Sequence, residues 1–267
     1  MNLVKIYKDL YIVSGYPYLY FEKFKSLILA DIHLGYEEAV AQEGVFLPRA
    51  QLSHLRLELD SVLRELDTES MIIVGDLKHR FDKLSRQEKE EIEALVNFLK
   101  ERNIKDIKLV RGNHDNYISL VAKKLGMELF DSLRIDNILL VHGHIDPFET
   151  GLEDHRNNID LVIYGHEHPS IVLRDSLGRV GKLPIFLEMP LRLREDRSIK
   201  AIILPATGYY QMGSAITLDP SKYLSPITQR YGLIEEAKPY AILREESIFE
   251  MPPLKLIVEY IDLGSTL

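Results

Sequence analysis

The sequence contains no cysteine. That absence excludes disulfide bridges, cysteine-ligated zinc, iron–sulfur clusters and a thiol nucleophile. Basic charge is not in excess either: 33 Lys and Arg stand against 41 Asp and Glu, a formal net charge of −8 with histidine neutral. Nonspecific affinity for nucleic acid or an anionic membrane comes from Lys and Arg neutralising phosphates. A general DNA-coating or membrane-coating protein is therefore excluded, while a local basic groove is not. No apolar run approaches the roughly 20 residues a bilayer span needs. Lys5, Lys8 and Asp9 interrupt the opening stretch MNLVKIYKDLYIV, where a signal-peptide core would sit. A cytoplasmic protein without membrane partners is the expectation. Internal repeats, low-complexity tracts and Gly/Ser linkers are missing as well.

What is present is a chain of 267 residues, 46% hydrophobic and 28% charged, the composition of an ordinary globular protein with a sizeable core. Short β-rich runs alternate with longer helical patterns. Residues 26–30, 71–74, 106–110, 138–141 and 160–164 read as strands buried on both faces. Residues 48–66 open at Pro48 and place Leu52, Leu55, Leu59, Val62, Leu63 and Leu66 at helical steps. Residues 85–102 begin with a capping box, Ser85 and Glu88, and set Ile92, Leu95, Val96 and Leu99 on one face. Past about residue 170 the helical signal fades. Runs such as 171–173, 185–187, 199–204 and 254–261 read there as strands between turns. The expected fold class is α/β, one core over residues 1–267 whose second half is mostly β.

The strand endings carry the chemistry. The apolar runs stop at Asp31 and His33, at Asp76, at Asn113 and His114, at His142 and His144, and at His166 and His168. In open α/β sheets the functional crevice lies outside the carboxyl ends of the strands, so side chains distant in sequence can converge there. Seven of the nine histidines fall at or, like His79, just after such endings. The other two, His54 in a helical pattern and His155 in a polar segment, receive no role. A nitrogen-rich set with two carboxylates suits Mn, Fe, Zn or Co better than Ca or Mg, which prefer oxygen shells.

The blocks ADIHLGYE (30–37), GDLKH (75–79), GNHD (112–115), VHGH (141–144) and YGHEH (164–168) together resemble the ordered signature of the calcineurin-like metallophosphoesterases. ADIHLGYE and the histidine of GDLKH are most similar to the SbcD-type repair nuclease branch and its smaller relatives. The resemblance implies a β-sandwich flanked by helices, with a metal site at the strand carboxyl ends. It also implies two divalent transition-metal ions, manganese foremost, bridged by Asp76. One ion would be held by Asp31, His33 and His168, the other by Asn113, His142 and His166, with His144 as the alternative to His142. The implied reaction is hydrolysis of a phosphodiester, DNA and RNA among the candidate substrates, by a hydroxide held between the metals. His114 would then protonate the leaving group, oriented by Asp115 or another carboxylate, and His79 would serve catalysis or substrate handling. Where Ser/Thr phosphatases of the superfamily have GDxxDRG this chain has GDLKHRF, which sets that branch aside.

Other residues have two readings each. Lys78, Arg80 and Arg111 flank the blocks as phosphate clamps or as ordinary surface charge. Arg192, Arg194, Arg197 and Lys200 alternate with Glu195 and Asp196 and read as a solvated face. Tyr209, Tyr210 and Phe46 either stack a base or pack. Loops 42–48, 145–158 and 205–215 would set specificity. Three functions compete: a phosphodiesterase acting on nucleic acid, a soluble-nucleotide phosphatase or phosphodiesterase on the same metals, and a noncatalytic scaffold. The repair nucleases carry a longer region beyond the last ligand than the 99 residues found here, which speaks against full equivalence. The scaffold is disfavoured because the superfamily's trafficking subunit lacks the GNHD histidine, present here as His114.

Overall fold

The computed structural model describes residues 1–149, 158–175, 178–195 and 197–257. Two sheets face each other. The first has the order β1 (Leu3–Tyr7), β2 (Leu10–Val13), β3 (Leu19–Phe21), β4 (Ser26–Leu29), β5 (Ser70–Val74), β6 (Asp106–Val110) and β7 (Glu128–Phe130). Its first four strands form an antiparallel meander, and β4 to β7 run parallel. The second sheet is built from β8 (Leu133–Ile135), β9 (Ile138–Leu140), β10 (Leu161–Tyr164), β11 (Pro169–Asp175), β12 (Gly178–Arg194), β13 (Arg197–Ile203) and β14 (Ser214–Ala215). Strands β15 (Lys238–Leu243) and β16 (Ser247–Glu250) attach to it through β12. Within it β9, β10 and β13 are parallel.

Alternation within the apolar runs explains why β4, β9 and β10 are buried throughout. In β4 and β5, Leu27, Leu29, Met71 and Ile73 pack under the helices α2 (Gln51–Glu65) and α3 (Arg86–Glu101). Their neighbours Ile28, Ile72 and Val74 join Leu140, Leu161, Ile163 and Ile202 of the second sheet in the core between the sheets. The far side of the second sheet, including Val162 and Tyr164, is covered by Ile227 of α5 (Pro226–Tyr231) and Leu254 of α6 (Leu254–Ile257). The result is a helix–sheet–sheet–helix sandwich. Two further short helices, α1 (Tyr36–Gln42) and α4 (Ser119–Leu125), follow β4 and β6.

Most sequence expectations match these elements, and α3 carries the Ser85–Glu88 capping box in full. The predicted strand over 254–261 does not form: Leu254–Ile257 is a helical turn. Pro252 and Pro253 precede it, and Leu256 donates its N–H to the Pro253 carbonyl at 2.8 Å, the use of proline where a helix begins. Residues 258–261 of that prediction, His155, Asp196 and most of the 145–158 loop lie outside the described residues. Among the described residues no helix is long and apolar enough to cross a membrane.

Candidate dinuclear metal centre

Beyond its last regular pair, the ladder between β4 and β5 continues into the two loops. Asp31, His33 and Leu34 donate their N–H groups to the carbonyls of Gly75, Asp76 and Leu77 at 3.0, 2.9 and 2.9 Å. The second sheet is stitched to the same edge, since Thr207 and Gly208 donate to the carbonyls of Ala30 and Asp31 at 3.0 and 3.1 Å. Five of the expected ligands take left-handed backbone angles: Asp31 (φ 56°), His33 (53°), Asp76 (52°), His166 (68°) and His168 (45°). Each costs on the order of 1–2 kcal/mol for a residue with a Cβ, and each turns the chain at a strand end so that its side chain faces its neighbours. Close approach explains two motif glycines. A Cβ on Gly75 would lie 2.0 Å from His142 Nδ1, and one on Gly112 would lie 2.1 Å from Asp76 Oδ1.

Six of the seven expected ligands come together in two groups, and Asn113 stands beside the second. Asp31, His33 and His168 form one; Asp76, His142 and His166 form the other. His168 Nε2 is 3.1 Å from Asp31 Oδ1 and 3.4 Å from His33 Nε2. The Asp76 carboxylate lies between the groups, its Oδ2 3.7 Å from His33 Nε2 and 3.3 Å from His142 Nε2. Its Oδ1 accepts the backbone N–H of His114 at 2.9 Å, which leaves Oδ2 to face the histidines. Asn113 Oδ1 stands 3.2 Å from His142 Nε2. His142 Nδ1 lies 3.1 Å from the Val74 carbonyl; bonded there, it directs Nε2 into the cluster, the arrangement typical of a metal-ligating histidine. His144, the other candidate in VHGH, has a buried Nδ1 without a hydrogen-bond partner, and its ring centroid lies 5.3 Å from that of His142.

The electrostatics fit a cation pair. Burial, with the positive charge of His142 second, lowers the His166 pKa to about 4, and burial drives His33 well below the ordinary histidine range. Both rings therefore offer nitrogen lone pairs near neutral pH. Burial also opposes charge on His142, but hydrogen bonding and attraction to Asp76 outweigh it and push the group up to about 9. Burial opposes ionisation of Asp76, yet the same pairing with His142 holds its carboxyl well below the usual range. Two carboxylates facing imidazole nitrogens at 3.1–3.7 Å are the donor set and the spacing that divalent transition metals require.

The supporting residues depart from expectation. Asp115 does not orient His114. Its carboxylate is buried and accepts the N–H groups of Asp76 (2.8 Å), Leu77 (3.0 Å), Lys78 (3.4 Å) and Gly112 (2.8 Å), binding the two ligand loops to each other. The four donors occupy both oxygens of the carboxylate. His114 is held instead by a hydrogen bond from Nδ1 to the backbone carbonyl of His79, and its Nε2 is 3.9 Å from Asp76 Oδ2. The His79 ring meets the candidate ligand His33 directly, with Nδ1 3.3 Å from His33 Nδ1. Burial, then repulsion from His114, lowers His79 to about 4, so it is neutral and can accept the His33 Nδ1 proton.

Nor do the proposed phosphate clamps point at the cluster. Lys78 is fully buried and donates from Nζ to the carbonyls of Arg80 and Lys83. Arg80 is paired with Asp82 at 3.1 Å, and Arg111 with Asp131 at 3.0 Å. Proximity to a ligand in sequence did not fix side-chain direction. Of the basic run, Arg192, Arg194 and Lys200 are exposed and Arg197 is half-buried, and Lys200 pairs with Glu188 at 2.6 Å. Tyr210 packs, donating to the Pro48 carbonyl at 2.7 Å, while Phe46 is exposed and Tyr209 half-exposed.

One supporting residue escaped the sequence reading. Glu167, between the two histidines of YGHEH, is buried and accepts the N–H groups of Leu224 and Ser225 at 2.8 Å and the Thr228 hydroxyl at 2.9 Å. It thereby fixes the His166–His168 turn to the start of α5. Ser225 also donates to the Gly143 carbonyl at 2.6 Å, drawing the His142 loop into the same network. An ionisable residue between two ligands was the only signal in the sequence.

The sequence profile of the calcineurin-like phosphoesterases matches residues 24–170. The DNA double-strand break repair protein Mre11 of Archaeoglobus fulgidus is 26% identical over 209 residues, covering 69% of this chain and 44% of that protein. The chain thus spans less than half the length of that relative. Among solved structures, the nuclease MPE of Pseudomonas putida superposes with a TM-score of 0.63 at 22% identity, covering 94% of this chain and 100% of its own.

Proposed function

From the premise that this chain belongs to the calcineurin-like phosphoesterase family, and so is a phosphoester hydrolase, we propose that it cleaves phosphodiester bonds in nucleic acid. The observation that carries this reading is Asp76 Oδ2 between two histidine groups, with His114 held at the rim. Asp31, His33 and His168 would hold one cation, Asn113, His142 and His166 the other, and Asp76 both, manganese being the first choice. When bound, such a pair makes water ionisable near neutral pH and neutralises charge developing at phosphorus. The remaining work falls to the chain. His142 and His33 are aimed by their Nδ1 partners, the Val74 carbonyl and His79. His114 keeps its Nδ1 proton on the His79 carbonyl, so a second proton on Nε2 is placed for transfer to the departing oxygen. His79 thus positions His33 by its ring and His114 by its carbonyl. The kinship with a DNA double-strand break repair protein supports nucleic acid as substrate.

Two observations favour the second reading, a soluble nucleotide or small diester. The net charge is −8, and Lys78, Arg80 and Arg111 are engaged within the protein. The test is hydrolysis of bis-p-nitrophenyl phosphate and of single-stranded DNA by the manganese-loaded protein. Both should be cleaved, and His114→Ala should lower kcat about 10²- to 10⁴-fold with its manganese content kept. Cleavage of the small diester alone moves the reading to the soluble nucleotide, and no hydrolysis of either refutes both.

A further inference from the structure

An unbroken series of aromatic rings runs from a ligand to the open surface. His33 meets His79 at a centroid distance of 5.3 Å, and His79 meets Tyr36 at 4.9 Å. Tyr36 stacks with Tyr210 at 5.7 Å, Tyr210 meets Tyr209 at 5.1 Å, and Tyr209 lies on His54. The last pair is the tightest, with centroids 3.8 Å apart and planes within 5°. The inner rings are committed, since Tyr36 is flanked on two sides and Tyr210 is tied to Pro48. Tyr209 stacks on His54 and meets Tyr210, yet the residue remains 45% exposed. With one face backed by His54, it borders a groove of about 310 Å³ together with Lys182, Pro184, Met212 and Arg244. That volume suits a single small ring system.

The geometry points to Tyr209, backed by His54, as a stacking platform for an unpaired base of a single-stranded nucleic acid whose scissile phosphate lies at the ligand cluster. This rests on the nucleic-acid reading above and adds the class of strand. Base faces are hidden in a duplex and available in a single strand, and an aromatic ring binds any of them. The cations bordering the groove are already used, Lys182 on the Gly213 carbonyl and Arg244 on Glu58. Recognition there falls to ring faces rather than to phosphate neutralisation. His54 fixes the Tyr209 ring before the base arrives, so little freedom is lost on binding.

The test uses fluorescence polarisation with the manganese-loaded protein and two phosphorothioate octamers, one of thymidine and one abasic at every position. The thymidine octamer should bind at least about tenfold more tightly. Tyr209→Ala should weaken it by roughly 5- to 150-fold, the loss of one base–aromatic stack, and leave the abasic octamer unmoved. Tyr209→Phe, which keeps the ring, should retain the preference. Equal binding of the two octamers, or a preference that survives Tyr209→Ala, overturns the proposal. Cleavage of unmodified single-stranded DNA by the same preparation reports separately on the nucleic-acid reading, so the two can fail independently.

Discussion

Replacing Asp115 by asparagine changes no volume and removes one acceptor oxygen. In the native site Oδ2 accepts from Asp76 and Gly112, and Oδ1 from Leu77 and Lys78. Whichever way the new amide turns, its NH₂ faces two backbone donors. Two buried N–H groups then lose their partner at about 1–3 kcal/mol each, roughly 2–6 kcal/mol together. Against a total stability of about 5–15 kcal/mol this is a large loss, and at roughly 2–4 °C per kcal/mol it lowers Tm by about 5–20 °C. The assay belongs near pH 8, because burial, and Asp76 second, push the Asp115 carboxyl up to about 6. Since the broken bonds hold the loops of Asp76 and Asn113, manganese affinity should fall about 10- to 100-fold by titration calorimetry. A residue that only oriented His114 would instead lower kcat at unchanged Tm and affinity. That pattern, or a Tm within about 2 °C of the parent, would refute the reasoning.

Metal and proton compete at His142. Its pKa stands at about 9 in the metal-free fold against 6.5 in the open chain, so its stabilising contribution is complete below about pH 6.5 and is lost as pH rises through 9. The Tm of the metal-free protein should fall over that window while manganese affinity rises and binding releases protons; a flat Tm contradicts this. Glu167→Ala strands the N–H groups of Leu224 and Ser225, at a cost of about 2–6 kcal/mol, and should also weaken manganese binding. Denaturation and calorimetry check both effects, and unchanged affinity would mean that the His166–His168 turn holds itself. Gly75→Ala forces a Cβ onto His142 Nδ1 and should lower the manganese bound per chain, as read by elemental analysis; full occupancy would show that His142 is not needed as a ligand.

The strands that deliver the candidate ligands are legible because they are largely buried on both faces, so their apolar runs end abruptly before Asp31, Asp76, Asn113, His142 and His166. The meander β1 to β3 was not read, since Lys5, Tyr7 and Tyr11 leave no clean alternation in strands of three to five residues. Helices α1 and α4, seven residues each, are too short for a periodic signal. Direction is the other gap. Asp115 and Glu167 act on backbone groups of distant loops, and local sequence does not encode those partners. Nor does local sequence show that His142 Nδ1 meets the Val74 carbonyl, 68 residues away.

The Glu167 network has a consequence for biogenesis. All seven candidate ligands have been synthesised by His168, yet the groups that anchor the last turn lie 57 to 61 residues downstream of Glu167. A nascent polypeptide can gather its histidines early and still lack the brace that keeps two of them in place. If Glu167→Ala weakens manganese binding, cation capture would follow the finished sandwich rather than first collapse.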